Sequence, residues 1–225
     1  MEVCVIVICA FAIPESMAAS ANAIILIFIF KSTKFAAIIF IFTVHSDNII
    51  IRSYRNEDAA AVLGIYEYYI LNGPYTFEIT VPELAVFSSR LRDISAKFPF
   101  YVLEKGGLVL GYAYACAHRE RAAYRWAVET SVYLEKEFTG SGYGKILYGK
   151  LLKTLKDRHF THAFALIGLP NEKSIRLHKS CGFTEQTIHQ KAGWKNGKWI
   201  DVCWMRAQLS EPTQTPSEPM FCPSS

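Results

Sequence analysis

The 225-residue chain has no C-x-x-C pair and no local Cys/His quartet. Its six cysteines, Cys4, Cys9, Cys116, Cys181, Cys203 and Cys222, are scattered, which excludes a zinc-finger spacing and a disulfide-stapled scaffold. Reduced thiols and no metal are expected. No uninterrupted apolar run reaches the ~20 residues that a spanning helix requires. No dense Lys/Arg stripe alternates with aromatics, so nucleic acid is not an expected partner. With 51% hydrophobic and 14% aromatic residues against 9 Pro and 13 Gly, neither wholesale disorder nor a collagen-like chain is possible. One main buried core is expected for this length.

Charge and apolarity divide the chain. Residues 1–48 carry only Lys31 and Lys34 against Glu2, Glu15 and Asp47, with apolar runs Val3–Ile13, Met17–Phe30 and Phe35–Val44. Two readings stand side by side. One is a membrane anchor built on Met17–Phe30, with Lys31 and Lys34 holding the following domain in the cytoplasm; the other is an apolar leader outside the fold. Residues 49–209 hold 22 Lys/Arg against 15 Asp/Glu, a mildly basic balance suited to an anionic small molecule. Residues 210–225, rich in Ser, Pro and Thr, are expected to be a disordered tail.

Within 49–209, strand and helix patterns alternate. Asn48–Tyr54 reads as a strand, and Asn56-Glu-Asp58 caps a helix over Ala59–Leu71. The T-x-x-E spacing of Thr80 and Glu83 predicts a second helix running from there to about Lys97. Strands follow at Phe100–Glu104 and Leu108–Ala117 around Lys105-Gly-Gly107, then at Arg125–Leu134. Leu147, Leu151 and Leu155 mark a helix to about Arg158, followed by a strand at Ala163–Ile167 and a helix at Glu172–Ser180. Strands at Phe183–Gln190 and Trp199–Gln208 close the domain.

Two features carry chemistry. Thr139-Gly140-Ser141-Gly142-Tyr143-Gly144-Lys145 follows a strand and opens a helix, where glycines let backbone N–H groups approach a diphosphate; the alternative is a tight bend. It is no Walker loop, which would need Gly at 139 and Ser or Thr at 146. Glu129 lies in an apolar strand, where an acid needs either an ion-pair partner or a task as general base.

The order of Glu129, the strand exit Val132-Tyr133-Leu134, Gly142-x-Gly144, Asn171-x-x-Ser174 and Leu177-His178-x-x-x-Gly182-Phe183 resembles the GCN5-related (GNAT) N-acetyltransferases. The segments 123–133, 167–171 and 192–202 are most similar to the phosphinothricin and methionine sulfoximine N-acetyltransferases. The resemblance covers residues 49–209 and implies an α/β (α+β) fold with a mixed, mostly antiparallel central sheet flanked by helices. It implies acetyl-CoA as co-substrate, a small amino acid as acceptor, and a cytoplasmic homodimer. Glu129 becomes the general base and His178 a proton donor to the departing thiolate. Val132, Tyr133, Leu134, residues Gly140 to Lys145, Asn171 and Ser174 become the cofactor contacts. Phe77, Arg121, Tyr124 and Thr130 become the acceptor contacts, while Arg119 and Arg125 belong to the same cationic loop. Thr139 departs from the usual Gln or Arg at its position. A non-catalytic acyl-CoA sensor on the same fold is the competing expectation.

Overall fold

The computed structural model describes residues 24–32, 35–44 and 48–222. Strands β1 (Ile24–Ser32) and β2 (Phe35–Val44) form an antiparallel pair from Ile24↔Val44 to Ser32↔Phe35. Of the anchor segment 17–30, residues 17–23 lie outside the described residues and the remainder is strand, not helix. Among the described residues no helix is long and apolar enough to cross a membrane.

The rest folds around a seven-stranded sheet. Its strands are β3 (Ile49–Ser53), β4 (Phe100–Lys105), β5 (Leu108–Ala117), β6 (Ala127–Leu134), β7 (His162–Gly168), β8 (Thr184–Lys195) and β9 (Lys198–Gln208). They run in the order β3-β4-β5-β6-β7-β9-β8. The pairs β5–β6, β7–β9 and β8–β9 are antiparallel, and β6–β7 is parallel.

Helices α1 (Ala59–Leu71) and α2 (Leu84–Ser95) build one core with the sheet, and α3 (Tyr143–Asp157) and α4 (Glu172–Ser180) contribute to the other. On α1 the buried positions Val62, Ile65, Tyr66 and Ile70 recur at helical spacing, so one stripe faces inward. α3 does the same with Leu147, Tyr148, Leu151, Leu152 and Leu155. Because side chains alternate along a strand, β6 serves both cores. Val128 and Leu134 join the α3 side, while Tyr133 packs with Tyr66, Tyr69 and Tyr112 on the α1 side. At the entry to α1, Asp58 is 5% exposed and takes two guanidinium contacts from Arg52 at 2.7 Å, while Arg52 also reaches Glu104 at 2.7 Å.

Two expectations need correction. The second helix starts at Leu84, with Glu83 as its N-cap, rather than at the T-x-x-E threonine; no capping bond forms there and residues 80–83 stay irregular. The tail has no regular structure, but it is anchored rather than disordered over 217–222. Trp126 Nε1 donates to the Ser217 carbonyl at 2.8 Å, and Arg125 pairs with Glu218 at 2.7 Å. The Met220 and Cys222 amides donate to the Arg158 and Lys97 carbonyls at 2.9 Å. Phe221 meets Phe98 and Phe160 edge-on at 5.5 and 5.6 Å. Polar composition hides a single aromatic anchor.

Phe221→Ala should therefore cost about 1–2 kcal/mol for a half-exposed ring, roughly 2–8 °C in Tm. Calorimetry of the full chain checks this; an unchanged Tm would show that the ring contributes nothing to stability.

Candidate active site

Parallel pairing between β6 and β7 runs through Ala127↔His162, Val128↔Ala163 and Glu129↔Phe164, and there it stops. β6 continues to Leu134 along β5, and β7 continues to Gly168 along β9, so the sheet splits between them. The split is a cleft of about 550 Å³. Thr130 to Leu134 form one wall and Ala165 to Ile167 the other, with the glycine loop, the start of α4 and Tyr68, Tyr69 and Tyr75 closing the ends. At the vertex, Thr130 Oγ1 donates to the Phe164 carbonyl at 3.1 Å and lies 2.7 Å from Tyr148 Oη.

One end of the cleft is built for an anion. Gly140 and Gly142 have φ of +84° and +88°, a left-handed conformation that side chains resist. Gly142 is the N-cap of α3 and has no side chain to satisfy the first-turn amides; the Lys145 amide donates to the Gly142 carbonyl at 3.1 Å, and among the described residues the Tyr143 and Gly144 amides meet no protein acceptor. Lys136, Lys145, Lys173 and Arg176 also line the cleft, Lys136 over the Tyr68 ring at 5.4 Å. Lys173 Nζ donates to Thr139 Oγ1 at 3.3 Å. Ser141 and Tyr143 turn away: Ser141 Oγ caps the Phe138 carbonyl at 2.5 Å, and the Tyr143 ring stacks on Phe138.

Glu129 occupies the vertex, on the face shared with Ser131 and Tyr133. Its Oε1 lies 3.0 Å from His118 Nδ1 and 3.3 Å from Arg119 Nη1. A carboxylate only accepts, so Nδ1 carries the His118 proton. Among the described residues no donor sits on Oε2. The His118 ring stacks on Phe164 at 4.3 Å and meets Trp204 and Tyr124 edge-on. Cys116 is paired with Glu129 across the ladder, and burial, with the Glu129 charge adding to it, pushes its thiol up to about 11. That thiol is protonated at neutral pH and is a poor nucleophile.

His178 lines the cleft from α4, 4% exposed and edge-on to Tyr148 and Phe183. Its Nδ1–H donates to the Ser174 carbonyl at 2.8 Å. Burial pulls the imidazole below its ordinary value, partly offset by that bond, so the ring is neutral near pH 7. Nε2 is then an acceptor and has no proton to give. Asn171 caps α4 through the Ser174 amide at 3.2 Å.

Over the described residues the chain matches the acetyltransferase (GNAT) domain across 51–204. It belongs to the GNAT acetyltransferase family. It is 36% identical to a phosphinothricin N-acetyltransferase of Streptomyces viridochromogenes over 69% of this chain and 86% of that one. It is 33% identical to an L-methionine sulfoximine/L-methionine sulfone acetyltransferase of Salmonella typhimurium, over 72% and 95%. A crystal structure of a phosphinothricin acetyltransferase from Sinorhizobium meliloti in complex with AcCoA superimposes with a TM-score of 0.72 at 37% identity, covering 76% of this chain and 94% of that one.

In this acetyltransferase Val132, Tyr133, Leu134, Gly140, Gly142, Gly144, Lys145, Asn171, Ser174 and His178 meet around one cleft. Thr130 lies there too, and its hydroxyl, bonded to Phe164 and Tyr148, pins the vertex. Arg121 and Tyr124 stand exposed on the 3₁₀ turn before β6, Tyr124 against His118. Arg125 stacks on Trp126 and pairs with Glu218, away from the site. Phe77 lies against Gly193, where a Cβ would come within 2.7 Å of its ring. Sequence reading missed His118, Lys173 and Arg176. The signal for His118 was the β5–β6 register, which places it two residues beyond Cys116, the partner of Glu129.

His118→Phe keeps the stacking surface on Phe164 and removes the nitrogen on Oε1. It should lower kcat about tenfold, a fraction of the full general-base contribution, with acceptor KM changed less than twofold. An unchanged kcat would show that the contact is incidental.

Proposed function

We propose that the chain is an N-acetyltransferase moving the acetyl group of acetyl-CoA onto the amino group of a small amino acid with a second polar or anionic head, of the phosphinothricin or methionine sulfoximine type. The observation that carries the reading is Glu129 at the last paired position of the split sheet, with one carboxylate oxygen held and the other without a protein donor. The donor end fits: two left-handed glycines, open amides and four cations suit a diphosphate, and the parted strand edges suit an extended, amide-bearing arm.

Acetyl-CoA supplies an activated acyl carbon when bound. The open amides of the Gly140 to Lys145 loop would hold its phosphates, Val132 to Leu134 would flank its arm, and Asn171 and Ser174 would close the opposite wall. Glu129 Oε2 takes one proton from the substrate ammonium, since only the free amine has a lone pair. A backbone N–H near Tyr133 polarises the carbonyl oxygen. The amine nitrogen bonds to the acyl carbon, the C–S bond breaks, and the leaving thiolate collects the second N–H proton. His178, neutral and with Nδ1–H engaged, contributes an acceptor at Nε2 and no acid. Cys116, protonated beside Glu129, supports direct transfer without an acyl-enzyme.

Arg121 and Tyr124 face the acceptor's second head. A cationic loop attracts an anionic or zwitterionic substrate and repels lysine side chains and polyamines. The reading extends to a homodimer, supported by the exposed edge strand β8 and the exposed Trp194–Trp199 pair beside it. It extends also to a cytoplasmic setting, supported by the free thiols Cys116, Cys181, Cys203 and Cys222.

Coenzyme A release assayed across a panel tests the reading. Phosphinothricin and methionine sulfoximine should turn over faster than lysine peptides or polyamines, and Arg121→Ala should raise acceptor KM on the order of tenfold while kcat changes less. Faster turnover of a polyamine or lysine peptide would refute the acceptor class.

A further inference from the structure

Lys195 ends β8, 2% exposed, and among the residues whose side chains are described it is the one buried lysine. A buried ammonium costs free energy unless its donors are used. Its Nζ donates at 2.8 Å to the carbonyl of Thr76, 119 residues away in sequence. Thr76 sits in the irregular stretch between α1 and α2, which has no ladder of its own. Further ties hold that stretch. Thr76 Oγ1 lies 2.6 Å from Tyr66 Oη, Glu78 pairs with Arg90, and Phe77 rests on Gly193, two residues before Lys195, where even a methyl group would collide with the ring. Tyr66 in turn packs edge-on against Tyr133, whose side chain shares the Glu129 face of β6. The loop therefore lies on the acceptor side of the sheet, and the β8 edge hairpin reaches across to hold it.

We propose that Lys195 is a positioning residue for the acceptor: its bond to the Thr76 carbonyl, with Gly193 beneath Phe77, clasps the 74–79 loop in the closed position that shapes the amino-acid pocket. The inference rests on the acceptor reading above for its kinetic consequence, but not for the clasp itself. A methionine at 195 would fill the same space without a donor. The loop would then swing on its remaining ties, and Phe77 would no longer bound the pocket. Tyr75 of the loop also lines the donor cleft, but it is held there by its edge-on contact with Tyr69 and by the packing of Pro74 on Gly168, ties that the substitution leaves in place, so the donor cleft keeps its shape.

Two measurements on the full chain test this. Limited chymotrypsin digestion reads cleavage after Tyr75 and Phe77, and steady-state kinetics reads the two substrates separately. Lys195→Met should speed cleavage in the loop at least fivefold and raise KM for phosphinothricin or methionine sulfoximine at least tenfold, with KM for acetyl-CoA within twofold of wild type. Gly193→Ala, which leaves the lysine in place and displaces Phe77, should give the same split and carries the test if Lys195→Met does not fold. Unchanged cleavage in a folded Lys195→Met protein overturns the clasp. Faster cleavage with unchanged acceptor KM overturns its part in substrate selection. Wild-type failure to acetylate either amino acid would sink the acceptor reading instead, while the digestion still decides the clasp.

Discussion

β6 and β7 share three residue pairs and then part, and the separation creates a demand for hydrogen bonds on two buried strand edges. Backbone groups removed from water need partners. Protein groups answer only some of that demand: the Thr130 hydroxyl takes the Phe164 carbonyl, and Tyr69 Oη donates to the Leu134 carbonyl at 2.6 Å. The remaining edge faces a cleft wide enough for an extended ligand with amides of its own. Glu129 stands at the point of parting, where His118 and Arg119 offset the cost of an acid inside an apolar strand.

The two ends of the cleft differ in charge logic. At the glycine loop the helix dipole of α3 and the side chains of Lys136, Lys145, Lys173 and Arg176 all favour anions. Lys173 lies in the first turn of α4, where the local dipole disfavours a cation, and its bond to Thr139 aims it across the cleft mouth. At the vertex the sign reverses, and Glu129 is balanced by His118 and Arg119 on one oxygen. The aromatic layer of Tyr66, Tyr69, Tyr112 and Tyr133 belongs to the α1–α2 core and packs on the face of β6 that carries Glu129.

Much of this was legible in the sequence because it depends on local rules. Gly140 and Gly142 announced a left-handed turn before a helix, and Asn171 announced a cap, each from residue type and position alone. Glu129 was conspicuous as an acid among apolar neighbours. What stayed hidden depends on long-range register. Arg119 rather than Arg121 reaches Glu129, and His118 joins it, because β5 and β6 pair Cys116 with Glu129. Lys195 reads as an ordinary hairpin lysine until Thr76 is brought to it. His178 was expected to give a proton, but the i−4 carbonyl of Ser174 takes its Nδ1–H and burial keeps it neutral, neither of which composition reveals. The tail read as disordered because Phe221 is one aromatic among polar residues, and its other anchors, the bonds of Ser217, Glu218, Met220 and Cys222, join it to residues far away in sequence.

The central claim is that Glu129 deprotonates the acceptor at the vertex of the split sheet. The pH dependence of kcat/KM for Glu129→Gln, measured beside wild type with a saturating acyl donor, tests it most directly. The account predicts a loss of roughly 10²–10³ at neutral pH, recovered in large part as the pH rises through the ionisation of the substrate amine, where the lone pair exists without help. A mutant that follows the wild-type profile at full rate would make Glu129 a structural partner of His118 and Arg119 and contradict the account.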